Sequence, residues 1–122
     1  MAHVLVVDDD DSFRTLLTEM LESLGHSVSK AADGEEALER VRETSFDLLL
    51  LDLVMPRKGG IETLMALASG ARRIPVVVTS ASIVDDDESV PRLVKRYGAR
   101  AVLSKPFSRE QLAEVLSSIV KE

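Results

Sequence analysis

Short apolar runs alternate with longer stretches of helical spacing along the chain. His3 to Val7 is branched and apolar and stops at Asp8, which predicts a buried strand on length rather than periodicity. Between Ser12 and Leu24, residues Leu16, Leu17, Met20, Leu21 and Leu24 recur at helical spacing, and Gly25 is placed to close that helix as a C-cap. Ser27 to Ala31 is a weaker strand. Asp33 is positioned to cap a second helix, with Glu36 three residues on and Ala37, Leu38 and Val41 facing inward. Phe46 to Leu51 is the most apolar run, broken by Asp47, and predicts a central strand ending at Asp52.

The second half repeats the alternation. Pro56, Gly59 and Gly60 make Met55 to Gly60 a turn-rich loop. A third helix is expected over Ile61 to Ser69. Ile74 to Thr79 reads as another buried strand, with Pro75 near its start, where strand prolines are tolerated. Ser82 to Glu88 is acidic and loop-like. Pro91 suits the first turn of a fourth helix that carries Leu93, Val94 and Tyr97 and stops at Gly98. Ala101 to Leu103 is a last short strand. Ser108 and Gln111 then form a capping-box pair for a final helix with Leu112, Val115, Leu116 and Ile119 inward. This pattern predicts an α/β fold, a five-stranded parallel sheet with helices on both faces.

Composition narrows the function classes. A chain of 122 residues is read as one domain, residues 1–122, and a hydrophobic share of 45% excludes global disorder. Without cysteine there is no disulfide frame, thiol nucleophile or thiolate metal site. Fifteen basic and 21 acidic residues give a formal charge of −6, which disfavours direct binding to nucleic acid or anionic lipid. Aromatics at 3% argue against a base-stacking groove. Val4 to Val7 is too short for a signal peptide or membrane insertion and has no basic region before it, so a cytoplasmic protein is expected.

Ligand sites in open parallel sheets lie beyond the carboxyl ends of the strands. On this reading Asp8, Asp9, Asp52, Ser80 and Lys105 all fall at that edge. Three carboxylates held together repel one another, and a hard divalent cation resolves the repulsion. Mg²⁺ takes oxygen ligands and keeps waters, which leaves room for a phosphate oxygen; Mn²⁺ is an acceptable substitute. Asp52 is then placed to attack phosphorus and form an aspartyl phosphate. Lys105 and Ser80 are suited to neutralise and hydrogen-bond phosphoryl oxygens. A carboxylate is ionised at neutral pH, so no general base is required.

These residues sit in motifs that resemble the receiver domain of two-component response regulators. The matching segments are Val6-Val7-Asp8-Asp9 with Arg14, and Leu50-Leu51-Asp52-Leu53-Val54-Met55-Pro56 with Gly60. Ile74-Pro75 leading to Ser80-Ala81, and Gly98-Ala99 leading to Lys105-Pro106-Phe107, complete the set. The resemblance implies the flavodoxin-like strand order 2-1-3-4-5, with Asp52 as phospho-acceptor. It implies metal ligation by Asp8, Asp9, Asp52 and the backbone carbonyl of Val54. Ser80 would be the switch hydroxyl, Lys105 the phosphoryl-contacting lysine, and the bond before Pro106 cis. The phosphoryl donor would be a sensor histidine kinase or a histidine phosphotransfer protein. The output would be a downstream protein or a domain absent from this chain, and the protein a switch rather than a turnover enzyme.

Several positions have plainer roles. Asp10 and Asp11 read as solvated acids, with helix capping as the competing role; Asp47 reads as a strand-edge residue and Tyr97 as packing. Thr79 is a decoy, because the spacing from Pro75 gives the switch role to Ser80. Other positions depart from the family pattern or tune it. Val102 stands three before Lys105, where many relatives carry Tyr or Phe, so an aromatic rotamer switch is not expected. The segment from Ala81 to Gly98 is longer than usual and holds Asp85 to Glu88; it is read as a solvated loop, or as one that contacts a basic partner or repositions the fourth helix on phosphorylation. Val54 and Ser82 occupy positions that tune phosphoryl lifetime in the family, and apolar Val54 implies slow self-dephosphorylation. The rival readings are a receiver-like interaction module that works without phosphorylation, and a small flavin protein. A phosphate-cradling loop would be needed for the latter, and Asp8 to Asp11 would repel a phosphate lacking a metal.

Overall fold

The computed structural model describes residues 2–53, 59–70, 74–80 and 89–120, excepting the side chains of 89–91 and 93. Strands and helices alternate as β1 (His3–Val7), α1 (Asp11–Ser23), β2 (Ser27–Ala31), α2 (Gly34–Glu43), β3 (Leu48–Asp52), α3 (Gly60–Ala68), β4 (Val76–Ser80), α4 (Ser89–Arg96), β5 (Ala99–Ser104) and α5 (Arg109–Ile119). The five strands form one sheet in the order β2-β1-β3-β4-β5. All four pairings are parallel. The expected fold and strand order are therefore observed.

The two-residue period of a strand divides the core between two faces. Leu5, Val7, Leu49, Leu51, Val76 and Val78 pack on one side with Ala37, Leu64, Leu67 and Val94 from α2, α3 and α4. Val4, Val6, Leu48, Leu50, Val77 and Leu103 pack on the other with Leu17, Leu21, Leu112 and Leu116 from α1 and α5. Central strands covered on both sides must be apolar throughout, which explains the unbroken Leu48-Leu49-Leu50-Leu51 run.

Element ends differ from expectation where a side chain or a proline intervenes. Helix α1 begins at Asp11 because Asp10 caps it, accepting from the N–H groups of Ser12 and Phe13. Capping thus describes Asp10 better than a solvated acid does, and Asp11 pairs with Arg14. Asp33 and Ser108 cap α2 and α5 as expected, the latter in a complete capping box with Gln111. Leu16, at helical spacing with the inward residues, is 49% exposed, because Leu17 and Leu21 take the inner stripe. β3 starts at Leu48 rather than Phe46. Asp47 is exposed and tied to β1 twice, its N–H donating to the His3 carbonyl and its carboxylate accepting the His3 N–H. β4 starts after Pro75, which lacks an N–H but whose carbonyl accepts from Leu49 at 2.9 Å. β5 runs longer than expected, from Ala99 to Ser104, with a register shift opposite Val76 and Val77 that leaves Arg100 unpaired. Gly25 and Gly98 have φ of 94° and 101°, the left-handed conformation that ends α1 and α4. Tyr97 and Val102 are partly buried against the α2–α3–α4 side of the core. No helix among the described residues is long and apolar enough to cross a membrane.

Candidate functional site

Parallel strands deliver the polar residues that follow them to one edge, and here that edge is acidic. Asp8 directly follows β1 and Asp52 ends β3; they are only 1% and 5% exposed, while Asp9 is exposed. One carboxylate oxygen from each of Asp8, Asp9 and Asp52 lies within 4.8 Å of the others. At such separation two buried carboxylates repel by about 3 kcal/mol at an effective dielectric of about 20. Burial and mutual repulsion both favour binding of a cation.

A cation from the chain itself already meets them. Lys105 Nζ donates to Asp8 Oδ2 at 2.8 Å and lies 3.5 Å from Asp52 Oδ1. The other Asp8 oxygen accepts the Asp10 N–H at 2.9 Å, and the Asp8 N–H donates to the Ala31 carbonyl at 3.1 Å. Arg14 donates to the Asp8 carbonyl at 2.6 Å. Asp8 is therefore anchored to β2, to the start of α1 and to Lys105. It is a rigid member of the cluster, whereas Asp9 faces solvent.

Lys105 reaches the acids from the far side of the sheet. Its N–H donates to the Ser80 carbonyl at 3.0 Å, and the following Lys105–Pro106 peptide is cis. Ser80 is fully buried and lies opposite Ser104, while Thr79 lies opposite Asp52. All five candidate residues thus come to the same end of the sheet. The Val54 carbonyl, Met55, Pro56, Ser82 and the acidic run from Asp85 to Glu88 lie outside the described residues. His3 and His26 stand at the opposite edge, before or at the starts of β1 and β2.

Two residues act on this site in ways that spacing does not show. Gly60 belongs to the turn-rich loop and to the motif around Asp52, and a Cβ there would meet the Asp52 carbonyl oxygen at 2.4 Å and Leu53 Cα at 2.5 Å. α3 therefore begins pressed against the backbone that carries Asp52, with the Gly60 N–H donating to the Leu53 carbonyl at 3.0 Å. Phe13, on the first turn of α1, places its ring beneath the Lys105 ammonium, 4.3 Å from Nζ to the centroid. Apolar spacing alone does not mark such a residue, because its partner is 92 positions away (105 − 13).

The donor set fits a hard divalent ion. It is all-oxygen and anionic, two of its three carboxylates are buried, and they are close enough to share one cation.

Residues 4–117 match the response regulator receiver domain, and the chain belongs to that family. It is 40% identical over 121 residues to the transcriptional regulatory protein CpxR of Escherichia coli K12, covering 99% of this chain and 50% of that protein. The chain thus spans about half the length of that relative. Among solved structures, chemotaxis response regulator CheY4 of Vibrio cholerae superposes with a TM-score of 0.89 at 31% identity, over 98% of this chain and 99% of that one. The receiver domain of sensor histidine kinase PA1611 from Pseudomonas aeruginosa PAO1 superposes at 0.86 with 27% identity, over 97% and 96% of the two chains, and carries magnesium in its active-site cleft. Receiver domains of two-component systems are signalling switches rather than metabolic enzymes, and they bind Mg²⁺ at an acidic pocket.

Proposed function

We propose that the protein accepts a phosphoryl group on Asp52 from a phosphohistidine of a sensor kinase or phosphotransfer protein. The observation that carries this reading is the convergence of Asp8, Asp9 and Asp52 within 4.8 Å, with Lys105 bridging Asp8 and Asp52. An Asp52 carboxylate oxygen forms the new bond to phosphorus as the P–N bond of the donor breaks. The electron pair stays on the departing imidazole, which leaves neutral because its other nitrogen carries a proton. No proton need leave Asp52, so the distance of both histidines from the site is no obstacle.

Asp8, Asp9, Asp52 and the Val54 carbonyl would hold Mg²⁺, or Mn²⁺ in its place. The ion, when bound, screens the attacking carboxylate from the anionic phosphoryl group. Lys105 holds its positive charge beside Asp52 and pairs with a phosphoryl oxygen once one arrives. Ser80, one residue beyond the position opposite Asp52, is the switch hydroxyl. The Lys105 N–H donates to its carbonyl, so a shift at Ser80 is felt in the backbone of Lys105. The readout is a change in protein–protein contacts, best described as a population shift between two packings. The target is either a separate protein or an output domain beyond this chain.

Intact mass after treatment with acetyl phosphate and Mg²⁺ tests the reading. One added phosphoryl group is expected, lost without Mg²⁺ and lost in Asp52→Asn. Ser80→Ala should take up the group yet show smaller amide shifts in α4 and β5 than Thr79→Val. An adduct that persists in Asp52→Asn would overturn the assignment. Failure to react with either acetyl phosphate or a phosphorylated kinase would favour an interaction module that works without phosphorylation.

A further inference from the structure

We propose that Phe13 is a positioning residue for Lys105, holding the ammonium at the acidic site through the face of its ring without neutralising its charge. The inference rests on the phosphoryl-accepting reading of that site. Lysine carries its charge on a flexible stem, and a carboxylate partner that fixes the ammonium also cancels its charge. An aromatic ring attracts a cation through its quadrupole and stays neutral, so it adds restraint while leaving the charge for an incoming anion. Lys105 has both kinds of partner. Its Nζ lies 2.8 Å from Asp8 and 3.5 Å from Asp52, and 4.3 Å from the centroid of Phe13.

The ring is itself held on two sides. Asp10 Oδ1 accepts the Phe13 N–H at 3.1 Å, which fixes the first turn of α1. Phe107, just beyond the cis Lys105–Pro106 bond, meets the Phe13 ring edge-on, with centroids 5.7 Å apart and planes at 88°. Edge-to-face packing of this kind restrains ring orientation. Phe13 is partly buried, as is Lys105 with its side chain 17% exposed, so their contact is only partly screened by water. When Asp52 carries a phosphoryl group, Lys105 must turn part of its bonding from Asp8 and Asp52 to a phosphoryl oxygen. The ring face holds the ammonium near its place through that exchange.

The competing role for Phe13 is plain packing against the α1–α5 side of the core. Fluorination separates the two, because successive ring fluorines weaken the negative face while changing volume little. Phe13 is replaced in the full chain by 4-fluoro-, 3,5-difluoro- and 3,4,5-trifluorophenylalanine, and separately by Phe13→Leu. The second-order rate of phosphorylation by acetyl phosphate is measured at saturating Mg²⁺, beside the urea midpoint of each variant. The logarithm of the rate should fall stepwise with fluorination. The trifluoro protein and Phe13→Leu should be about five-fold slower than wild type, with little change in midpoint along the fluorinated series. In a Lys105→Met background the series should be flat. A flat series in the wild-type background, or a slope that survives Lys105→Met, overturns the proposal while leaving the phosphoryl-accepting reading intact. A wild-type protein that gains no mass removes that reading, and this proposal falls with it.

Discussion

The backbone that carries Asp52 is as constrained as its carboxylate. Gly60 starts α3 against the carbonyls of Asp52 and Leu53, at distances no side chain tolerates. Only backbone lies in the way, so no rotamer change relieves the clash. In Gly60→Ala, α3 must move outward or the end of β3 must bend. Overpacking of this kind costs about 1–3 kcal/mol. The urea midpoint should fall with the slope unchanged. Phosphorylation by acetyl phosphate should also slow, because the shift is absorbed beside the acceptor. A midpoint within error of wild type would mean that α3 has slack at its start. Leu16 is the opposite case, an apolar residue at helical spacing that the core does not use.

Among the elements, what could be read in advance follows from how local its causes are. The caps at Asp33 and Ser108 and the left-handed Gly25 are dictated by near neighbours and appear where the residues place them, while the five strands are all present with some ends shifted. The meeting of Asp8 with Asp52 follows only from putting β1 beside β3; general rules of parallel sheets bring both to one edge, but that strand order rests on the family resemblance. The ring of Phe13 under Lys105 depends on side-chain direction across elements, and the pressure of Gly60 on Asp52 on how closely two backbones approach; spacing encodes neither. The same holds at the far edge of the sheet, where the His26 Nδ1 accepts the N–H of Ala2 at 3.1 Å and links the approach to β1 with that to β2. Burial holds the His26 imidazole below its ordinary value of 6.5. The unfolded chain therefore takes up a proton near pH 6.5 that the folded one still refuses. The stability this contributes is complete above pH 6.5 and is lost as pH falls from there through the lowered folded value. His26→Gln keeps an acceptor and does not titrate. The urea midpoint of wild type, measured relative to His26→Gln, should fall between about pH 7.5 and 5.5. A difference that stays constant across that range would mean the imidazole is not held neutral by burial.

For the whole molecule, a formal charge of −6 means that any added cation relieves some general repulsion. Stabilisation by Mg²⁺ is therefore no evidence of a site unless the diffuse effect is separated from the local one. The geometry gives the means. Asp9 is exposed and belongs to the close carboxylate triad, while Glu19 and Glu110 are exposed and lie outside it. Replacing any one of them with the neutral amide removes the same single charge from the molecule. A ligand that binds only the folded state stabilises it by RT ln(1 + [L]/Kd), about 2.7 kcal/mol at a hundredfold excess over Kd. At constant ionic strength, Mg²⁺ should raise the urea midpoint of wild type, Glu19→Gln and Glu110→Gln alike. Asp9→Asn should need a markedly higher Mg²⁺ concentration for the same rise. Equal responses in all four proteins would assign the effect to screening of the molecule's net charge. The triad would then have no particular hold on the ion, and the Mg²⁺ requirement expected for phosphorylation of Asp52 would lose its structural basis.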